Sequence, residues 1–155
     1  MKKATLTILI FSILLNIGLI YLFVIKGETT KSNDNRTAVL MSEGNKDFVL
    51  EEMRDFLESI QQINEGIQEN TPEKIINAGN KSGGSVITHA PKGLLKSLPS
   101  GFKALGFSTH DLFDEIAKNA QNNYTPKKTQ KQMNTLLNNC VSCHKSYKIS
   151  LTKKE

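Results

Sequence analysis

Several features that mark enzymes and nucleic-acid-binding proteins are missing from this chain. No nucleophile, carboxylate pair or glycine-rich phosphate loop in the sequence stands in a pattern that indicates enzymatic turnover. Its 20 lysines and arginines outnumber its 15 acids, but they are not interleaved with aromatic residues, which make up 6% of the chain. We therefore expect a protein that is neither an enzyme nor a binder of nucleic acid.

Cysteine is scarce, and the two cysteines of the chain lie close together. Cys140, Cys143 and His144 form the pattern C-x-x-C-H, which is typical of covalent c-type haem attachment. Two cysteines three residues apart on a helix project from the same side, so both can form thioethers to one porphyrin, while the adjacent imidazole can bind its iron. The motif predicts one covalently bound haem c.

Three other uses of this motif remain as alternatives. They are a small disulfide, a thioredoxin-like redox pair and half of a zinc site. The surrounding residues lack the βαβ pattern that a thioredoxin motif needs. A zinc site needs four ligands, whereas three are clustered here.

The start of the chain is strongly apolar. Residues 4–25 carry no charge and are mostly Leu, Ile, Val and Phe, and as a helix they would rise about 33 Å, enough to cross the hydrocarbon core of a bilayer. The sequence therefore predicts that residues 1–25 form an uncleaved signal-anchor that spans a membrane once. A cleaved secretory signal peptide is the alternative, although the apolar run is long for one and no A-x-A-like site follows it.

The rest of the chain is predicted to be a polar linker, residues 26–44, followed by one domain, residues 45–155. Helical periodicity and almost no strand signal predict four helices in that domain, and the last one places Cys140 and His144 on its apolar stripe. The predicted fold class is all-α, an antiparallel four-helix bundle with covalently bound haem, preceded by the membrane-spanning helix. The first helix is predicted from an apolar stripe that runs from Val49 to Ile67, and the predicted starts of the other three are Thr71–Pro72, Ser108 or Thr109, and Thr125–Pro126.

Four helices with C-x-x-C-H near the end of the last one, followed by Tyr147 and Lys148, resemble the cytochrome c-prime family over residues 45–149. In that family the first helix crosses the haem face opposite the histidine, so the resemblance implies that Met53 is the sixth ligand of the iron. It also implies that Lys148 pairs with a haem propionate. The family often has a tryptophan in its third helix, where Phe113 stands here.

The resemblance implies two alternative functions, which depend on Met53. If its thioether binds the iron, the protein is an electron carrier that cycles between Fe(III) and Fe(II) and serves redox partner proteins of the respiratory chain or the periplasm. It would then be anchored in a bacterial inner membrane with its haem domain in the periplasm, or be soluble in the periplasm after signal cleavage. If the distal side is open, the haem binds nitric oxide or carbon monoxide for sensing or detoxification. A homodimer is left open.

Other methionines and histidines are weaker candidates for the sixth ligand. Met41 falls in the predicted linker, and Met133 lies about three turns from His144 on the same predicted helix. His89 stands in a stretch rich in glycine and proline, and His110 stands at a predicted helix start. We expect both histidines to be exposed to solvent.

Overall fold

The structure, a computed structural model, describes residues 2–152 and, within that range, every side chain except those of residues 2, 3 and 23. Most of this part of the chain is helical. The described part contains six α-helices and three short strands. In chain order these are α1 (Lys2–Ile20), β1 (Thr29–Lys31), β2 (Thr37–Met41), α2 (Glu43–Glu69), α3 (Pro72–Ser82), α4 (Leu94–Ser97), α5 (Ser100–Asn123), α6 (Pro126–Ser146) and β3 (Tyr147–Leu151).

Helices α2, α3, α5 and α6 pack against one another around a core of large apolar side chains. Local chemistry explains where they begin. The Ser42 hydroxyl accepts a hydrogen bond from the Asn45 N–H at the start of α2. The Thr125 hydroxyl accepts one from the Lys128 N–H at the start of α6, where Pro126 occupies the first turn without losing a helical hydrogen bond. The predicted start of the last helix is therefore confirmed.

Helix α5 begins earlier than its sequence pattern predicts. The expected N-cap was Ser108 or Thr109, but the helix already starts at Ser100. The Thr109 hydroxyl donates to the Leu105 carbonyl oxygen at 2.8 Å, which is the bond that a threonine makes within a helix rather than at its N-cap. As a consequence, His110 lies in the middle of a helix and not at its exposed start.

The prediction of an all-α fold is wrong, because the structure contains a three-stranded sheet in the order β1-β2-β3. Strands β1 and β2 are antiparallel and lie in the stretch predicted to be a linker, while β3 follows the C-x-x-C-H motif and pairs with β2 in parallel. Ala38, Val39 and Met41 of β2 are buried. A parallel pair between distant segments has no local sequence signal, because its partner strand is not a neighbour in the chain.

The prediction of a membrane-spanning N-terminal helix, and with it the single-pass location in a bacterial inner membrane, is also wrong. In the part of the chain that the structure describes, none of the helices combines the length and the apolarity that crossing a membrane requires. Helix α1 ends at Ile20, and Tyr21–Ile25 form a π-helical turn instead of extending it. From Ala4 to Ile20 an α-helix rises about 26 Å, which is short of a hydrocarbon core of about 30 Å.

Candidate functional site

The C-x-x-C-H motif occupies the last two turns of α6. Cys140 and Cys143 are both free thiols and both half-buried, whereas His144 is exposed. Because three residues span a little less than one helical turn, the two sulfurs project from the same side of α6. The helix therefore places the two thiols on one side as the sequence predicts, whereas His144 is more exposed than its predicted place on the inward apolar stripe implies.

These side chains line a cavity between α6 and the opposite helices. The empty volume, including the part open to solvent, is about 880 Å³. Met53 of α2 lines the same cavity as Cys140, Cys143 and His144. Most of the remaining wall is aromatic or aliphatic and includes Phe48, Val49, Phe56, Leu94, Leu98 and Phe107. The fold thus brings all four predicted site residues to one largely apolar cavity.

Burial affects the thiols in the wall of this cavity. It raises the pKa of both Cys140 and Cys143, and the neighbouring Cys140 raises that of Cys143 further. Both thiols are therefore protonated at neutral pH. The cysteines of thioredoxin-like redox pairs have lowered pKa values instead, so the environment of these thiols argues against that alternative.

Glu52 and His110 are polar residues in this largely apolar wall. Burial raises the pKa of the Glu52 carboxyl, an effect that nearby His110 opposes in part. His110 itself is buried and packs edge-to-face against Phe56, with ring centroids 4.9 Å apart. Its Nδ1 lies 2.8 Å from the Ser82 carbonyl oxygen, which accepts a hydrogen bond and so fixes the proton on Nδ1.

The expected exposure of the two other histidines is confirmed for His89 and wrong for His110. A signal for the burial of His110 was present in the sequence. It lies three residues before Phe113 and seven before Ala117, which are both buried, and this is the spacing of a single helical face. The misplaced start of α5 concealed that pattern.

A second cavity, with an empty volume of about 600 Å³ including its open part, adjoins the end of α6. It shares four lining residues with the apolar cavity: Met53, Phe102, Cys143 and His144. It is also lined by three cationic side chains from separate segments: Arg36 from the turn before β2, Lys46 from α2 and Lys148 from β3.

Contacts from other segments hold the end of α6 in place. Arg36 donates from Nη1 to the carbonyl oxygens of His144 and Tyr147, at 3.3 and 3.4 Å. Orphan carbonyls at a helix C-terminus need such donors, and a cation there also interacts favourably with the helix dipole. The Tyr147 ring packs edge-to-face against Phe102 of α5, with centroids 5.4 Å apart. The motif is therefore attached to both the sheet and α5.

The other two methionines considered as ligands are fully packed elsewhere. Met133 is 3% exposed in the core between the four long helices, and Met41 is 1% exposed in a second apolar cluster beside β2. Neither lines either cavity. Among the methionines that the structure describes, Met53 is the one that shares a cavity with the motif.

In comparisons with known proteins, no family model matches this chain, no curated protein is detectably similar to it, and no solved structure matches it. Within residues 2–152, no three side chains of His, Cys, Asp or Glu converge in an arrangement that could hold a bare metal ion.

Proposed function

We propose that this chain is a monohaem c-type cytochrome that carries single electrons. The observation that supports this most directly is the shared cavity, which places Met53 on α2 in the same wall as Cys140, Cys143 and His144 on α6. When bound, haem c supplies an iron that cycles between Fe(III) and Fe(II).

The two cysteines fit covalent attachment of haem. Both are free and half-buried, and both face the cavity from one side of α6. Each would give its sulfur to a thioether bond, which fixes the porphyrin to the helix at two points. The disulfide and thioredoxin-like alternatives leave the large apolar cavity beside the thiols unexplained.

His144 and Met53 are the two side chains that would hold the haem iron. His144 follows the second cysteine directly, and Arg36 holds the carbonyl oxygen of His144 in place. Met53 reaches the same cavity from α2, the helix that the resemblance to the cytochrome c-prime family assigns to the distal side. A thioether ligand and an apolar wall both favour the reduced iron, because they stabilise the lower charge.

A matched pair of methionine variants tests electron transfer against gas binding. Met53→Leu removes the thioether at nearly constant volume, and Met133→Leu makes the same change in the core, where such a swap costs less than about 1.5 kcal/mol. We expect the wild type and Met133→Leu to be low-spin and to resist carbon monoxide when reduced, and Met53→Leu to be high-spin and to bind it readily.

Absorption spectra of the oxidised, reduced and carbon-monoxide-treated proteins measure these differences. If the wild type is already high-spin and binds carbon monoxide as readily as Met53→Leu, the haem is a gas-binding centre and not an electron carrier. If no haem is attached after co-expression with a c-type maturation system, both functions are excluded.

A further inference from the structure

His110 lies in the wall of the apolar cavity with one ring nitrogen bonded and the other free. The residue is 9% exposed, its Nδ1 donates to the Ser82 carbonyl oxygen at 2.8 Å, and its ring packs against Phe56. Within the part of the chain that the structure describes, no group forms a hydrogen bond with Nε2. Because Nδ1 carries the proton of the neutral ring, Nε2 has an unshared electron pair that can accept another proton.

The contacts of Ser82 hold the ring of His110 in this orientation. Ser82 is 1% exposed, its hydroxyl shares a hydrogen bond of 2.8 Å with that of Ser59, and it lies 3.4 Å from the Asp55 carbonyl oxygen. His110 is part of the cavity wall, whereas Ser82 lies behind that wall. The bonded nitrogen therefore faces away from the cavity, and Nε2 is on the side of the ring that borders it. A proton added at Nε2 leaves the other bond intact, because a charged imidazole donates from both nitrogens.

One carboxyl group shares this wall with His110. It belongs to Glu52, and it is close enough for His110 to oppose the rise in its pKa that burial causes. Lys103 also lines the cavity, but its Nζ donates to the Val24 carbonyl oxygen at 2.7 Å. The other titratable groups on the elements around His110 are the C-x-x-C-H motif, Lys81 paired with Asp55 and Glu58, Asp114 bonded to the Gly84 N–H, and the exposed His89.

The apolar surroundings of Nε2 make its proton affinity sensitive to a change of charge in the cavity. An electron added at the C-x-x-C-H motif lowers the net charge there by one. In a largely apolar wall such a change is weakly screened, and it raises the affinity of a neighbouring base for a proton. Nε2 of His110 is the free basic nitrogen in this wall that is not proposed to bind iron.

We infer that His110 binds a proton at Nε2 when the C-x-x-C-H site gains an electron and releases it when the electron leaves, so that the protein carries a proton together with the electron. The electron comes from a reduced partner protein and the proton from solvent water. One negative and one positive charge enter, so the net charge of the site does not change. The inference rests on the proposed function, because it needs a redox-active haem at the motif, and it adds a second transported particle to it.

The test uses two matched variants of the haem-loaded protein. His110→Gln removes the nitrogen that titrates, while the amide of glutamine can still donate to the Ser82 carbonyl oxygen. His89→Gln makes the same change at the exposed histidine. The chain has three histidines, and His144 is the proposed iron ligand. The two variants therefore remove, one at a time, the two histidines that are free to titrate.

The first readout is the midpoint potential between about pH 5 and 8, the range in which histidine changes its charge. Because protonated His110 favours the reduced state, the potential of the wild type and of His89→Gln should fall as pH rises. For one proton per electron, each tenfold change in proton concentration converts to at most about 59 mV. The potential of His110→Gln should not change over this range. A wild-type potential that is independent of pH, or the wild-type slope in His110→Gln, would overturn the inference.

The second readout uses the wild type alone, so it does not depend on the folding of a variant. Nitrogen NMR of protein with labelled histidine follows the protonation of Nε2 directly, and its titration midpoint should lie at higher pH in the reduced than in the oxidised protein. In the haem-free protein the same spectra should show a neutral His110 ring with its proton on Nδ1. Equal midpoints in the two redox states, or a neutral ring protonated on Nε2, would contradict the inference.

Failure of this inference can be told apart from failure of the proposed function. Covalent attachment is measured separately, as haem that stays with the polypeptide after denaturation. If haem is attached and takes up one electron reversibly, but the potential of the wild type and of His110→Gln depends on pH in the same way, the cytochrome assignment stands and the role of His110 is wrong.

Discussion

The two ends of the helical domain both contain α2, α5 and α6 but are packed differently: α3 completes one end, whereas α4 and the segment before it border the other. At one end, which we call the filled end, Ile63, Ile75, Phe113 and Leu136 are 0% exposed and fill the space between the helices. At the other, which we call the hollow end, Val49 and Phe102 border the large cavity instead of closing it. One bundle thus contains a completed core and an incomplete one, and the C-x-x-C-H motif lies at the incomplete end.

The helices that both ends share therefore meet two separate structural requirements. At the filled end, stability comes from side chains that pack densely on one another, as in any protein core. At the hollow end, half-buried thiols and a half-buried methionine face space that no side chain occupies. Such an arrangement is costly without a ligand, because wall atoms beside a void lose their packing partners. A covalently bound haem would supply those partners.

Truncation of one phenylalanine at each end should give the largest difference in the free energy of unfolding between the two ends. Phe113→Ala creates a new void in a dense core, so we expect the free energy of unfolding to fall by about 3–5 kcal/mol. Phe102→Ala enlarges a cavity that already exists, so the loss in the haem-free protein should be closer to the transfer term alone, about 1.5–3 kcal/mol. Urea unfolding of the two variants measures both values.

The order of these two values is what matters. Equal losses in the haem-free protein would mean that Phe102 is packed as densely as Phe113 and that the hollow end collapses in solution.

A pair of glycine substitutions sharpens the same comparison. A Cβ at Gly79 of α3 would lie 2.8 Å from the Phe113 carbonyl oxygen and 2.9 Å from the Ala117 Cβ, so Gly79→Ala should destabilise by about 1–3 kcal/mol through overpacking. A Cβ at Gly106 of α5, in the wall of the cavity, meets nothing within 4 Å. Gly106→Ala should stabilise the haem-free protein by about 0.5–1 kcal/mol, because alanine loses less entropy in a helix.

Thermal unfolding of the two glycine variants measures opposite shifts in Tm. If Gly79→Ala were neutral, helices α3 and α5 would not be in the close contact that defines the filled end.

The smallest expected effect is on the pH dependence of stability and of alkylation, and it comes from the thiols at the hollow end. Because burial raises the pKa of Cys140 and Cys143, folding favours their protonated forms. The reduced, haem-free protein should therefore lose stability as pH rises above the ordinary pKa of a thiol. Alkylation by iodoacetamide should also need a higher pH in the folded protein than in the same protein in denaturant. Coincident pH profiles would contradict the burial of these thiols.

The residues at the candidate site could be predicted from sequence because the motif is local. The spacing of Cys140, Cys143 and His144 was enough to identify the motif. The start of α6 followed from Thr125 and Pro126. Met53 followed from the apolar stripe of α2 together with the resemblance. The structure places all four of these residues around one cavity.

The parts of the fold that sequence analysis missed depend on distant contacts. Strand β2 pairs in parallel with β3, which lies far away in the sequence, and Thr37 is opposite Tyr147. Polar residues on both sides of the short apolar run of β2 made the stretch look like a linker. The burial of His110 depends on a helix that begins at Ser100, through two glycines that usually indicate a loop. Only packing against the rest of the domain determines this strand pairing, the start of this helix and the burial of His110.

The most direct test of the account is the intact mass of the protein, purified after co-expression with a c-type maturation system and denatured in acid. We predict the mass of the polypeptide plus one haem, and the loss of that addition in a control that carries Cys140→Ser and Cys143→Ser together. The mass of the bare polypeptide with two alkylatable thiols would contradict the claim that the hollow end holds a covalent haem.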